Sequence, residues 1–408
     1  MRVIAKIFGR PLGVLSDEFN ERIYFQYFPE YLSNGRNVSP FALSFDGIAQ
    51  YEKSRIFKGL FGVFADSLPD AWGNILIEQQ FRILGRSPDS ISPLERLCAV
   101  GKKSWGAITY EPEMESLSKE SAAFVDLVEQ SQLAKDLLQG DTLKGIDDLI
   151  ESGSPIGGAR PKRNIYLDSR QPSKIFTHHE NINTRKAWIL KLEVKPEKFY
   201  GVIEEAYYQL ARLSGINTPE TCLIKDANGN RHFAIRRFDW SHNDEKRKFH
   251  CHTLAGLLTR DFDMGDTDYQ DFFSATIKLT EDASQLEEAF RRAVFNIFYS
   301  IHDDHVKNHA YTMSESGIWN LSPAYDIMFS RQNPGNMFWR QMSFGGKRRG
   351  ITMEDIRDMG KRIGLKSRKV ESIVEQCLSV SEKWNEITGN LELPEPRKSE
   401  VELYWEIP

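Results

Sequence analysis

The chain has 408 residues, of which 40% are hydrophobic and 27% charged, with a formal net charge of −5. That length accommodates two or more domains with substantial cores, and the composition is that of a soluble globular protein. The small charge argues against a dominant basic face for nucleic acid while leaving room for a local patch. No apolar run approaches the ~20 residues that a membrane helix needs. Four cysteines (Cys98, Cys222, Cys251, Cys377) are widely spaced and form no CxxC pair, which points to reduced thiols and a cytoplasmic protein.

In chain order, "MRVIAKIFGRPLGVL" alternates like a first strand, and Lys6 and Arg10 interrupt it too often for a signal peptide. Residues 1–112 mix short strands with turns such as "GRPLG" and "SNGRN". Within them "SLPDAW" reads as a turn opening a helix, with Trp72 in the core. A polar, helix-prone connection follows. From about residue 153 a Gly-rich turn leads into strands "RNIYLD" and "KAWILKLEV". The helix "YGVIEEAYYQLARLSG" stops at Gly215. Strands "TCLIKD" and "RHFAIRRFDW" are joined by "ANGN", a hairpin signal. "FHCHT" reads as strand or loop and "GGKRRG" as a solvated turn. After residue 240 the text is helical almost to the end. In "SRKVESIVEQCLSVSEKW", Val370, Ile373, Val374, Cys377 and Leu378 form one helical stripe. The expected fold is α+β, with a β-rich half before a helical half.

The chemistry concentrates in "IHDDHVKNHAY" (301–311), which follows a largely apolar helix. Asp303 and Asn308 have the D-x-x-x-x-N spacing of protein-kinase catalytic loops. There the aspartate orients the proton of the attacking hydroxyl, and the asparagine binds magnesium. Asp326 in "PAYDI" would be the second magnesium ligand; oxygen donors suit a hard cation. A zinc site from His302, His305 and His309, sharing one helical face, is the competing arrangement. In "KAWILKLEV", Ala187, Ile189 and Lys191 share one face of a strand, so Lys191 could reach phosphates as the V-A-I-K lysine does. Glu204 or Glu205 on the next helix could pair with it. "GSPIGGARPK" (153–162) offers Ser154, Gly157 and Gly158, whose backbone amides could face phosphate oxygens, with Arg160 and Lys162 beside them. It is not a Walker A loop.

Taken together, "LPDAWGNIL", "AVGKKSWGAITYEP", "GGARPK", "WILKLE", "RRFDW", "DDHVKN" and "PAYDI" resemble the HipA-like toxin kinases of bacterial type II toxin–antitoxin systems. The resemblance covers nearly the whole chain. It implies a two-lobed protein-kinase-like fold with an extra N-terminal subdomain (1–112), an α/β N-lobe (113–240) and an all-helical C-lobe (241–408). It implies a serine/threonine kinase using ATP and Mg2+, with an aminoacyl-tRNA synthetase as substrate. The implied partner is a HipB-like helix-turn-helix antitoxin, through which alone DNA would be bound, with no membrane involved. By motif, Lys191 would bind ATP phosphates, Asp303 would be catalytic, and Asn308 and Asp326 would hold magnesium. Arg237 and Phe238 fall where the family's hinge touches adenine. His305 and Lys307 lie in the catalytic loop. The family's autophosphorylated serine would be Ser154 by an S-x-x-G match to Gly157, although alignment on "GGARPK" places Pro155 there; Ser152 is the substitute.

Two other functions compete: a small-molecule phosphotransferase, and a non-catalytic binding or corepressor component. The N-terminal module argues against the first. The intact set Lys191, Asp303, Asn308 and Asp326 argues against the second.

Overall fold

The structure is a computed structural model that describes residues 1–19, 22–114, 125–140, 149–150, 157–168, 171–176, 185–241, 247–330 and 340–407. The chain divides into two compact units. The first comprises Met1–Val194, Ile224–Thr259 and Thr312–Ile318; the second comprises Lys195–Leu223, Arg260–Tyr311 and Trp319–Pro408.

The first unit opens with strands β1 (Arg2–Ile7), β2 (Arg10–Phe19), β3 (Arg22–Tyr27), β4 (Gln50–Tyr51) and β5 (Ile108–Glu111), which form a sheet in the order β4–β3–β2–β1–β5. β1 lies antiparallel between β2 and β5. Its alternation buries Val3, Ala5 and Ile7 on one face, as a period of two requires. The expected helix after "SLPD" runs Ala71–Ile83, with Trp72 fully buried. Ile77 and Phe81 of this helix pack with Ile91 and Val100. Helix Pro93–Val100 begins with a capping box of Ser92 and Glu95.

A second sheet uses β6 (Lys162–Asp168), β7 (Gln171–Phe176), β8 (Arg185–Lys191), β9 (Thr221–Lys225) and β10 (Arg231–Arg236), in the order β7–β6–β8–β10–β9; the last residues of β9 belong to this unit. β8 is central, and both of its faces are covered from Ala187 to Leu190. Strand β11 (His250–Thr253) leads into helix Leu254–Leu258, which packs on helix Gly62–Ala65. The two helices touch at glycines: a Cβ on Gly62 would lie 2.0 Å from the Gly256 carbonyl oxygen. Only glycine permits so close a backbone approach.

The second unit is mainly helical. Helix Tyr200–Leu213 ends at Gly215 (φ +79°), as the sequence predicts. Helix Ala283–Phe298, capped by Asp282, buries Leu286, Ala289, Phe290, Ala293, Val294, Ile297 and Phe298. It packs on helix Tyr269–Thr280, where Phe273 and Phe290 meet with ring centroids 6.0 Å apart. The expected stripe of helix Ser367–Ser379 buries Val370, Ile373, Val374 and Cys377, with Leu378 at its margin. Tyr207, Tyr299, Trp384 and Trp405 form an edge-to-face aromatic cluster.

The helical run expected beyond residue 240 has exceptions: besides β11, there are β12 (Ala310–Met313) and β13 (Trp319–Leu321). A tight reversal at Ser314–Gly317, with Gly317 at φ +89°, separates β12 from β13. Such a turn favours short strands over a continuing helix. Among the described residues, no helix is long and apolar enough to cross a membrane.

Candidate active site

In the second unit, helix Ala283–Phe298 ends and the chain turns through Ser300 (φ +51°) into an irregular loop containing one 3-10 turn, Val306–Asn308. This loop is not a helix, so His302, His305 and His309 do not share a helical face. His302 Nε2 meets Glu406 Oε1 at 2.9 Å, His305 packs on the Phe262 ring, and His309 is buried against Phe272. Among the described residues, no group of three His, Cys, Asp or Glu side chains could hold a metal ion. The zinc arrangement therefore finds no support.

The adjacent acids Asp303 and Asp304 face opposite ways. Asp303 is exposed, and its backbone N–H donates to Ser330 Oγ at 2.8 Å. Asp304 is buried and accepts hydrogen bonds from Tyr269 Oη (2.8 Å), the Gln341 N–H (3.1 Å) and the Met342 N–H (3.3 Å). Burial pushes its carboxyl above the ordinary range, against the pull of Arg340. A buried, fully engaged acid fixes backbone, whereas Asp303 stands exposed on the same loop.

Asn308 Nδ2 donates to the Asp303 carbonyl oxygen at 2.8 Å. That bond orients the amide so that its Oδ1 is the end able to take a cation. Asn308 and Asp326 line one cavity, together with Asp304, Asn296, Arg292 and His309. Asp326 has φ +55°, a backbone region uncommon for a residue with a side chain and concentrated at functional sites. Tyr325 Oη ties this segment to the loop through the Lys307 carbonyl at 2.5 Å. The structure thus brings Asn308 and Asp326 to one cavity and joins Asn308 to the Asp303 backbone. Two oxygen donors from one cavity fit magnesium, which keeps waters and phosphate oxygens as its other ligands.

Helix Tyr200–Leu213 distinguishes the two candidate glutamates. Glu205 Oε1 accepts from Gln209 (3.0 Å) and Arg212 (3.2 Å). Glu204 is fully buried. Burial first, then the carboxylates of Glu204 and Asp326, push the Tyr208 hydroxyl well above its ordinary value. Tyr208, one turn on from Glu204, is a residue that the sequence reading missed. His305 and Lys307 both meet Phe262, the former ring to ring at 5.2 Å and the latter with Nζ 4.6 Å from the ring centroid.

The remaining candidates lie in the first unit. Lys191 is half-buried at the end of β8, with Nζ 5.8 Å from the Phe233 ring centroid. The Gly158 N–H donates to Asp70 Oδ2 at 3.1 Å, and Lys162 Nζ donates to the Gly157 carbonyl. A Cβ on Gly157 would strike Asp70 Oδ2. The Trp72 indole N–H donates to the Lys162 carbonyl at 2.8 Å. Residues 70–72 thereby hold the end of the Gly-rich loop. Ser152, Ser154 and Pro155 lie outside the described residues. Arg237 falls at the expected hinge, and its guanidinium is engaged bidentately by Asp239 (2.9 and 2.6 Å) and by Asn164 (3.0 Å). Phe238 packs edge-to-face on Trp105. Neither residue is brought to Lys191 by any of these contacts.

Comparison with known proteins gives the family. Residues 4–111 match the HipA N-terminal domain model, and residues 154–384 match the HipA-like C-terminal domain model. A Haemophilus influenzae protein named "Putative kinase" is 21% identical over 276 residues, spanning 60% of this chain and 78% of that protein. The HipA of the Shewanella oneidensis complex of HipA, HipB and operator DNA superposes with a TM-score of 0.70 at 18% identity, covering 98% of this chain and 94% of that one. The fold is thus α+β, and with both domain models matched along its length the chain belongs to the HipA family.

Proposed function

We propose that this chain is a serine/threonine protein kinase that uses ATP and Mg2+, and the toxin of a toxin–antitoxin pair. The observation that carries the reading is the pairing of an exposed Asp303 with Asn308, which itself shares a cavity with Asp326. In this reading Asp303 accepts a hydrogen bond from the substrate hydroxyl and orients it for attack. Asn308 Oδ1 and the Asp326 carboxylate hold magnesium, which when bound offsets the charge of the phosphates. Lys191 neutralises phosphate oxygens, and Gly157 and Gly158 allow backbone amides to approach them. His305 and Lys307 flank Asp303 on the substrate side. Positioning and charge stabilisation supply most of the rate of such a transfer. Residues 1–112, 113–240 and 241–408 act as N-terminal subdomain, N-lobe and C-lobe.

The Shewanella HipA was solved with HipB and operator DNA, which supports a HipB-like antitoxin as partner. The net charge of −5 fits a chain that reaches DNA through that partner. An aminoacyl-tRNA synthetase is the proposed substrate. The test is incubation with γ-labelled ATP, Mg2+ and a panel of purified synthetases. Label on a serine or threonine of one synthetase supports the reading; no label on any protein, this chain included, overturns it.

A further inference from the structure

The segment following helix Glu395–Glu402 is built into the base of the catalytic loop. The Glu406 N–H donates to the Phe298 carbonyl at 2.9 Å, and Ser300 Oγ donates to the Tyr404 carbonyl. The Trp405 indole N–H donates to Tyr207 Oη at 3.0 Å, and Tyr207 Oη donates to the Tyr299 carbonyl at 2.9 Å. Residues 404–406 therefore run along 298–300, where the helix gives way to the loop.

The Glu406 side chain then reaches two groups at once. Oε1 meets His302 Nε2 at 2.9 Å, and Oε2 accepts from Arg340 Nη2 at 3.2 Å. Arg340 is fully buried, and its other terminal nitrogen lies 3.4 Å from Asp304 Oδ2 and 3.4 Å from the Asn296 carbonyl. The next residue continues the contact: the Gln341 N–H donates to the His302 carbonyl at 2.9 Å. His302 and Asp304 are the residues on either side of Asp303. Two segments far from it in sequence, 340–341 and 404–406, thus converge on the backbone that carries Asp303.

We infer that Glu406 is a positioning residue for phosphoryl transfer, clamping Arg340 and His302 so that Asp303 is held in its working orientation. The inference rests on the kinase reading for its kinetic consequence and on these contacts for its structural one. A buried guanidinium needs its counter-charges, so removing Glu406 leaves Arg340 shared between Asp304 and backbone carbonyls. The loop then loses one of the two groups that fix it on either side of Asp303. Because Glu406 touches neither Asn308 nor Asp326 in these contacts, nucleotide binding should be spared.

The experiment uses the full chain with Glu406→Gln, which keeps the shape and removes the charge, and Glu406→Asp, which keeps the charge on a shorter arm. Amide hydrogen exchange is followed at residues 302–308, with helix Ala283–Phe298 as internal reference. Expected for Glu406→Gln is exchange at 302–308 faster by about tenfold or more, the size of one lost charge-assisted hydrogen bond, with the helix unchanged. Glu406→Asp should lie between Glu406→Gln and wild type. Turnover on γ-labelled ATP with Mg2+ should fall in the same order, with KM for ATP constant. Unchanged exchange at 302–308 in Glu406→Gln, or exchange raised equally throughout the helix, would overturn the inference. Absence of label transfer by the wild type would refute the kinase reading instead, and the exchange data would still decide the clamp.

Discussion

His250 gives a pH prediction whose size can be worked out. Its ring is buried, with Nε2 at 2.9 Å from the Val38 carbonyl oxygen. A carbonyl only accepts, so Nε2 carries the proton of a neutral ring. Burial, and then the neighbouring His252, lower its pKa from 6.5 to about 3, against the upward pull of Val38 and Asp66. The unfolded chain takes up a proton near pH 6.5 while the folded protein does not. Stability rises with pH wherever the unfolded state binds more protons. The contribution of His250 is therefore fully present above about pH 6.5 and is lost progressively as pH falls towards about 3. Between roughly pH 7.5 and 5.5 the loss is about 1.4 kcal/mol for this one group. Glutamine at this position can still donate to Val38 but cannot titrate. Urea unfolding of wild type and His250→Gln at both pH values isolates the term, since all other groups cancel in the difference. The wild type should lose about 1.4 kcal/mol more than the variant on acidification. Equal losses would show that His250 is not held neutral and would refute the argument.

Other consequences are directly measurable. Asp303→Asn should leave ATP affinity by calorimetry within about twofold of wild type and reduce phosphoryl transfer by roughly 10²–10⁴-fold; undiminished transfer would remove Asp303 from the mechanism. Lys191→Ala should weaken nucleotide binding, and unchanged ATP affinity would count against its phosphate role. Gly62→Ala should destabilise the first unit by about 1–3 kcal/mol in thermal unfolding, because the new Cβ meets backbone that cannot swing aside. After incubation with ATP and Mg2+, peptide mapping should find phosphate on Ser154, or failing that on Ser152, and none in Asp303→Asn. A preparation that phosphorylates a substrate but neither serine would exclude control through the Gly-rich loop.

What could be read from the sequence was local. The period of two in β1, the glycine after helix Tyr200–Leu213 and the "ANGN" hairpin each act over a few residues. The D-x-x-x-x-N spacing was legible for the same reason, since Asn308 reaches the Asp303 carbonyl within a single loop. Asp304 was passed over because its role depends on Arg340 and residues 341–342, brought there only by folding. Glu406 meets His302 across 104 residues of chain, and no periodicity announces such a pair. Arg237 mixes the two ranges: Asp239, two residues on, engages the Nε–Nη2 edge of its guanidinium, while Asn164, 73 residues away in the chain, is brought to Nη1 only by folding.

The same distinction explains "FHCHT". His252 Nδ1 lies 2.6 Å from Asp66 Oδ2 and its Nε2 lies 2.9 Å from Ser39 Oγ, the order of groups found in hydrolytic triads. Ser39 and His252 are both fully buried, so no substrate carbonyl could reach the hydroxyl. Thr253 adds its N–H (2.7 Å) and hydroxyl (2.6 Å) to the same carboxylate. Every polar atom in this line has a partner, and a satisfied buried network fixes one arrangement of the segments it joins. It lies beside the Gly62–Gly256 contact, since a Cβ on Gly256 would meet Asp66 and His252. Asp66 thus ties β11 and the start of helix Leu254–Leu258 to the segment that leads into Asp70 and Trp72, which hold the Gly-rich loop. In this unit, as around Asp304 in the other, buried acids set the backbone that carries the candidates for chemistry.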